Sequence, residues 1–485
     1  MTNPSYRVRI APSPTGDAHV GHARTALYDY ILVKQNAGTF ILRIDDTDTA
    51  RNTATSEEGV IRGLQWLGLD WDEGPDKNGD YGPYRQSERL DTYSTYAKEL
   101  LAQGKAYFCY CSQEELESMR EAQLLVKEDP KYTGKCRHLG EAEKHRLAAE
   151  GRVPTVRLAV NGGVVGFQDL VRGWIETDTS LMGDFIILKS SGIPVYNFAT
   201  VIDDHLMAIS HVTRAAEHII NTIPQVLIYR ALGWEVPKFA HFSTMLNEDR
   251  SKMSKRKGAT FIGQYAEMGY LPEAMLNFLA FLGWSPGDAG DEIYTLDELV
   301  AKFSLEKCTA SNAIFDAKKL DWINAKWIRR LSPLDLAVRM LPFLQRAGLT
   351  GNDIDINWLS RLAVLVQERM TRLDEAPAIC TLFFVEPELP YAEIQKALGD
   401  ADGRAALSAV LRSLIPTPWV ESEIEKALRA LQPTLGLSTK AYFMTLRLSV
   451  LGSAVSPPLF ASLEVLGKER VIARLERVLT NLASI

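Results

Sequence analysis

The stretch Tyr6-Arg7-Val8-Arg9-Ile10-Ala11-Pro12-Ser13-Pro14-Thr15-Gly16, running on to His19-Val20-Gly21-His22, decides how this chain is built. Residues 6–11 alternate polar and apolar as a half-buried strand does. Pro12, Pro14 and Gly16 then break the strand, and from Val20 to Val33 the apolar spacing turns helical. Strand, loop and helix in that order open a parallel α/β sheet. The prolines stiffen the loop, Gly21 admits a flat base or a phosphate to the backbone, and the helix start offers unpaired N–H groups at a positive dipole end. His19 and His22, three residues apart, share one face of the first turn. The arrangement suits a nucleotide, although two imidazoles alone would serve a metal equally well.

Further strands are expected at 39–44, 184–189 and 206–210, with helices at 56–67 and 217–232 between them. Residues 101–190 interrupt this alternation with cysteines, charged helical sequence and short strand-like runs such as 153–160, as an insertion would. From about 265 onward the pattern is helical, with amphipathic stretches at 272–283, 333–347, 357–372, 404–414 and 459–483. The expected fold class is α/β. A Rossmann-type parallel-sheet domain in two halves, 1–100 and 191–260, holds an inserted domain at 101–190, and a helical domain at 261–330 and an all-α region at 331–485 follow.

A length of 485 residues allows about three domains. With 46% hydrophobic and 24% charged residues the chain has globular composition, no run of 18 apolar residues and no signal-peptide core, so a cytoplasmic, non-membrane protein is expected. The net charge of −7 offers no global attraction for nucleic acid, and any RNA contact must be local. Two basic patches stand out, Arg250 to Lys257 and Lys326 to Arg330, although such runs are commonly solvated faces.

Five cysteines, an odd number, do not make a disulfide framework. Three of them crowd together as Cys109-x-Cys111 and, after 24 residues, Cys136-x-His138. Three thiolates and an imidazole suit a closed tetrahedral zinc site of structural kind, with Tyr132 as the alternative fourth ligand. Downstream, Ser251-Lys252-Met253-Ser254-Lys255-Arg256-Lys257-Gly258 alternates cations with small residues, as a loop that wraps a triphosphate does.

Taken together these motifs resemble the class I aminoacyl-tRNA synthetases, whose HIGH motif matches 19–22 and whose KMSKS motif matches 252–256. The resemblance narrows to the bacterial-type glutamyl enzymes through RIAPSPTG (9–16), RIDDTD (43–48), GPYRQSER (82–89), PVYNFATVIDDHLM (194–207) and SKRKG (254–258), and it spans nearly the whole chain. The related glutaminyl enzymes carry β-barrel anticodon domains, whereas this C-terminal third reads as helical.

The resemblance implies ligation of L-glutamate to tRNA(Glu) in two steps, through glutamyl-AMP and transfer to the 3′-terminal ribose. Activation in this family typically waits for bound tRNA. It implies catalytic roles for His19, His22, Lys252, Ser254 and Lys255, with ATP held by His19, Gly21, His22 and Lys255 and accompanied by Mg²⁺. Glutamate would meet Arg9, Ala11, Ser13, Asp45, Tyr196 and Arg214, the arginines pairing with its carboxylates and Asp45 with its ammonium. Asp45 stands where the family usually has glutamate, Thr200 where asparagine is usual, and Ala216 interrupts an acidic pair of which Glu217 remains. In some relatives the insertion binds zinc near the tRNA acceptor stem. Residues 101–190 would thus bind the acceptor stem, 261–330 contact the stem, and 331–485 bind the anticodon, with Arg369 as a candidate contact. A monomer is expected. Charging of tRNA(Gln) as well, or small-molecule nucleotidyl transfer on the same HIGH chemistry, are the alternative readings.

Overall fold

The computed structural model describes residues 6–14, 16–47, 54–77, 79–253, 259–287, 290, 292–399 and 402–482. They form two compact units, one of residues 1–266 with 272–320 and one of 267–271 with 321–485.

In chain order the first unit contains β1 (Arg7–Ile10), α1 (Val20–Asn36), β2 (Thr39–Leu42), α2 (Ala54–Trp66), α3 (Leu90–Ala102), β3 (Ala106–Cys109), α4 (Gln113–Leu125), α5 (Glu141–Ala149) and β4 (Thr155–Leu158). It continues with β5 (Val164–Asp169), β6 (Gly173–Asp178), β7 (Phe185–Leu188), α6 (Tyr196–Leu206), β8 (His211–Ala215), α7 (Ile219–Leu232), β9 (Lys238–Phe242), α8 (Ile262–Glu267), α9 (Pro272–Ala280) and α10 (Leu296–Lys302). β1 and β2 pair in parallel with Arg9 opposite Ile41. β8 and β9 also pair in parallel, with Arg214 opposite His241. β1 runs beside β8, since the Ser210 N–H donates to the Arg7 carbonyl at 3.0 Å. This is the parallel core that the opening stretch predicts.

Two features differ from the sequence reading. The strand at 184–189 exists as β7 but belongs to a separate antiparallel sheet of order β3-β4-β7. Between β4 and β7 the chain makes the hairpin β5–β6, and β5 joins the main sheet in parallel with β9, giving the order β6-β5-β9-β8. The segment 206–210 is not a strand: Met207, Ala208 and Ile209 donate their N–H groups back to Asp203, His205 and Asp204, closing off α6, and β8 begins only at His211. Met207 and Ile209 are both buried, so the alternation there marks packing of a turn against the core.

The two sheets share α7. Its Ile223 and Val226 pack with Val165, Phe167, Val212 and Phe239 of the main sheet. Its Ile228, Tyr229 and Leu232 pack with Val156, Leu158 and Ile187 of the inserted sheet. α1 is buried nearly all round, as expected of a helix whose apolar and small residues do not segregate to one face. Gly38 follows it because a Cβ there would lie 2.0 Å from the Tyr6 carbonyl oxygen.

The second unit takes up the chain within α11 (Ala317–Arg330) and is helical: α12 (Pro333–Arg346), α13 (Ile356–Gln367), α14 (Ala376–Phe384), α15 (Tyr391–Leu398), α16 (Gly403–Leu414), α17 (Glu421–Leu431), α18 (Thr439–Leu451), α19 (Leu459–Leu466) and α20 (Lys468–Leu482). α12 starts on Ser332, whose side chain accepts the Asp335 N–H, with Pro333 in the first turn, and buries Leu336, Ala337, Met340 and Leu344 at helical spacing. The stretch 459–483, read as one helix, is two, separated at Gly467, where φ is +88°. Among the described residues no helix is long and apolar enough to cross a membrane.

Candidate active site

A cavity of about 560 Å³ opens at the C-terminal ends of β1 and β8 and the start of α1. Arg9, Ala11, Ser13, His19, Gly21, His22, Tyr196, Arg214 and Lys252 all line it, so side chains spread over 244 residues of sequence meet at one place. Ser254 and Lys255 lie outside the described residues. Among titratable side chains of the lining, Arg9, Arg24, Arg214 and Lys252 face Asp17 and Glu217, an excess of positive charge suited to an anionic ligand.

His19 is the N-cap of α1, and its Nδ1 accepts the Gly21 N–H at 3.1 Å. The Gly21 N–H is therefore not left unpaired for a ligand, as the sequence reading expects. An accepting Nδ1 requires a lone pair there, so any ring proton of the neutral form sits on Nε2. The His22 ring lies 6.4 Å from it at an interplanar angle of 69°. Desolvation within the concave cleft, and then His19, hold His22 below the ordinary histidine pKa although one side of it is open to solvent. Burial and next Arg214 lower His218, also in the lining, to about 4. At neutral pH His22 and His218 act as uncharged hydrogen-bonding groups.

The two arginines have different surroundings. Arg9 forks onto Asp204, Nε to Oδ1 at 2.9 Å and Nη2 to Oδ2 at 3.0 Å, so the face that would grip a carboxylate is already in use. Arg214 donates from Nε to His241 Nε2 at 3.0 Å and from Nη2 to Thr222 Oγ1 and Gln225 Oε1, both at 2.8 Å. Its Nη1 is buried and has no hydrogen-bond partner.

Asp45 is not in the cavity lining. It is 5% exposed and binds Arg43, Nε to Oδ1 at 2.7 Å. Arg43 also donates to Asp204 at 2.7 Å, while Arg89 pairs with Asp203 at 2.6 Å. The side chain one methylene shorter than glutamate thus ends in a buried ion network instead of reaching the cavity. Burial, reinforced by Asp203 and only partly offset by Arg43, raises the Asp45 pKa to about 6. The same network raises the pKa of Arg43, whose one charge is shared among three carboxylates, so the titrating member is Asp45. Thr200 is buried with an unpartnered hydroxyl, and Ala216 follows β8 in a short 3₁₀ turn.

Sequence reasoning missed Asp204, Thr213, His218 and His241. Asp204 was inside a quoted motif, but only the fold shows that it faces Arg9 across 195 residues.

Residues 5–322 match the profile of tRNA synthetases class I (E and Q), catalytic domain, and residues 335–479 that of an anticodon binding domain. The chain is 45% identical over 482 residues to the glutamate–tRNA ligase of Carboxydothermus hydrogenoformans, covering 98% of this chain and 99% of that one. The chain belongs to the glutamate–tRNA ligase family. It is likewise 45% identical over 479 residues to the ligase of Moorella thermoacetica, covering 97% of each. The glutamate tRNA ligase of Elizabethkingia meningosepticum, solved in complex with its amino acid, shares the fold with a TM-score of 0.88 at 33% identity, covering 98% of this chain and 99% of that one. The class I catalytic fold with a helical anticodon-binding region expected from the sequence is therefore the fold observed.

At the end of β3 and in the loops beside it, the sulfurs of Cys109, Cys111 and Cys136 lie within 4.8 Å of one another. His138 is not part of this group: it is exposed on the turn at 135–138. The fourth polar atom among the sulfurs is the Tyr132 hydroxyl, 3.3 Å from Cys109 Sγ and 3.5 Å from Cys111 Sγ. It also accepts the Cys136 N–H at 2.9 Å, which fixes it in place. The donor set fits a soft, tetrahedral metal. In the second unit, Arg369 lines a cavity of about 620 Å³ together with Thr381, Leu382, Pro387, Ser453 and Ser456.

Proposed function

We propose that this chain attaches L-glutamate to tRNA(Glu) in the cytoplasm. The observation that carries the reading is the convergence of the HIGH residues, Lys252, Arg9 and Arg214 on one positively charged cavity, in a chain matched end to end by glutamate–tRNA ligases. The α-carboxylate of glutamate attacks the α-phosphorus of ATP, pyrophosphate leaves, and a hydroxyl of the terminal ribose then displaces AMP from glutamyl-AMP. No covalent enzyme intermediate is needed, so catalysis consists of positioning and of stabilising charge at phosphorus. His19 and a neutral His22 hydrogen-bond the nucleotide at the start of α1, and Lys252 faces the phosphates, with Lys255 of the same motif and Mg²⁺ sharing their charge.

On this reading Arg214 meets a glutamate carboxylate through Nη1, Tyr196 closes the pocket beside it, and Ala11 and Ser13 border the amino acid. Arg9 contributes its positive charge while Asp204 holds its fork. Asp45 acts at one remove, by holding Arg43. Cys109, Cys111 and Cys136 with Tyr132 would hold a structural zinc in the segment facing the acceptor stem, and Arg369 would meet an anticodon base.

The test is charging of purified tRNA(Glu) and tRNA(Gln) with labelled glutamate, alongside ATP–pyrophosphate exchange with and without tRNA. Acceptance of glutamate by tRNA(Glu) is expected, and exchange only when tRNA is present. Exchange with no transfer to either tRNA would point instead to small-molecule nucleotidyl transfer.

A further inference from the structure

We infer that Asp169 and His241 are positioning residues for substrate specificity: as a buried relay they fix the Arg214 guanidinium so that Nη1 alone is left for the anionic group of the amino acid. This rests on the reading above, that Arg214 meets a glutamate carboxylate.

The relay is built by strand register. β8 and β9 set Arg214 directly opposite His241, and the end of β5 sets Asp169 beside β9, opposite Phe239. Asp169 and His241 are 1% and 0% exposed and do not themselves line the cavity, which His241 reaches through Arg214. One carboxylate oxygen of Asp169 accepts the N–H groups of Val171 and Arg172, both at 2.9 Å. The other accepts the His241 backbone N–H at 3.1 Å and lies 2.6 Å from His241 Nδ1. Burial alone would raise the Asp169 pKa, but the His241 and backbone hydrogen bonds outweigh it and hold the acid ionised. An ionised acceptor at Nδ1 places the ring proton there, which leaves Nε2 as a lone pair. Burial keeps His241 neutral. Nε2 can then only accept: the Arg214 Nε–H donates to it at 3.0 Å, with the Thr222 hydroxyl beside it at 3.1 Å.

A guanidinium has five N–H groups. His241 takes the one on Nε, while Thr222 and Gln225 take those on Nη2. The two on Nη1 have no partner, although Arg214 is only 6% exposed and lines the cavity. A buried, unpaired cationic donor is costly unless a ligand completes it, and a carboxylate completes it where a carboxamide, with one acceptor oxygen, does so less well.

Asp169→Asn tests the direction of the relay. The two backbone N–H groups of residues 171 and 172 hold the amide oxygen on their side, which turns the amide NH₂ toward His241 Nδ1. The ring proton must then move to Nε2, where it opposes the Arg214 Nε–H, donor against donor. The glutamate KM in tRNA-dependent exchange should rise about 10- to 100-fold, the range of a charge-assisted hydrogen bond, with the ATP KM within about twofold and the glutamate-over-glutamine preference narrowed. His241→Asn, which cannot reach Arg214, should behave alike. His241→Gln, whose amide oxygen can stand where Nε2 stands, should keep a glutamate KM near that of the unmodified chain.

Arg214→Gln separates the two levels of the argument. If it leaves the glutamate KM unchanged, the assignment of Arg214 to a substrate carboxylate fails. If it raises that KM while Asp169→Asn and His241→Asn do not, the relay is overturned and the assignment stands. A fall in kcat and in melting temperature with glutamate KM and preference unchanged would likewise reduce the pair to a structural role.

Discussion

Arg9 and Arg214 occupy equivalent places in a motif-based reading, yet their partners give them different work. Arg9 is one side of a buried ion pair, and breaking such a pair costs at most about 3–5 kcal/mol here, since Arg43 still holds the Asp204 carboxylate. Arg9→Gln should therefore lower stability to urea by up to that much and reduce turnover of glutamate and glutamine alike, leaving their kcat/KM ratio close to its original value. Arg214→Gln should instead narrow the ratio by at least about tenfold with little loss of stability. Measuring both ratios with tRNA present checks the pair of expectations, and a narrowed ratio in the Arg9 variant would return specificity to Arg9.

Asp45 supplies a pH dependence of definite sign. Its folded pKa, about 6, lies above the ordinary 3.8, so the folded chain holds this proton more tightly than the unfolded chain does. Stability from this group is greatest below about pH 4 and is lost as pH rises toward 6, by about 3 kcal/mol in all. Urea unfolding of the chain and of Asp45→Asn from pH 4 to pH 7 should show the variant gaining relative stability across that window. A constant difference would mean that Asp45 does not titrate there.

Among the elements, those governed by local pattern were legible. β1, α1 and β2 follow from an alternating run, a proline-rich break and a helical run in sequence. The strand carrying Arg214 was placed five residues early, because Leu206 to Ser210 alternates as a strand would while its N–H groups actually finish α6. β5 and β6 were assigned to the insertion as a whole. Nothing local reveals that β5 pairs with β9, 70 residues away, and so the Asp169–His241 contact could not be read either. The cysteine cluster was legible because three of its ligand atoms come from two short C-x motifs. Its fourth member was less so, since chain spacing favours His138 and the turn exposes it.

The metal site makes its own prediction at this scale. Protein purified without chelator should contain about one zinc, and removing it should lower the melting temperature, since a structural zinc contributes directly to folding. His138→Ala should retain the metal, whereas Cys136→Ser should lose it. Metal analysis by mass spectrometry decides between them, and loss of zinc from the His138 variant would restore that residue as a ligand.

Taken whole, the chain has a net charge of −7, yet its substrate is a polyanion, so binding must come from a few local contacts. Arg369→Ala should raise the tRNA KM by about tenfold, the order of one base-reading contact, while the KM values for ATP and glutamate stay as they were. A change in all three would show that the residue supports the fold of its helices instead.

The course of the chain through the first unit has one more consequence. It lays down β3 and β4 of the inserted sheet, crosses to give β5 and β6 to the main sheet, and only then returns with β7. The two sheets are in effect laced by a single thread. Excising 101–190 as a cassette would pull two strands, β5 and β6, from the catalytic sheet and remove Asp169 with them. A graft that preserves catalysis has to be cut at four seams, before β3, after β4, before β7 and after β7, leaving the hairpin of the host in place.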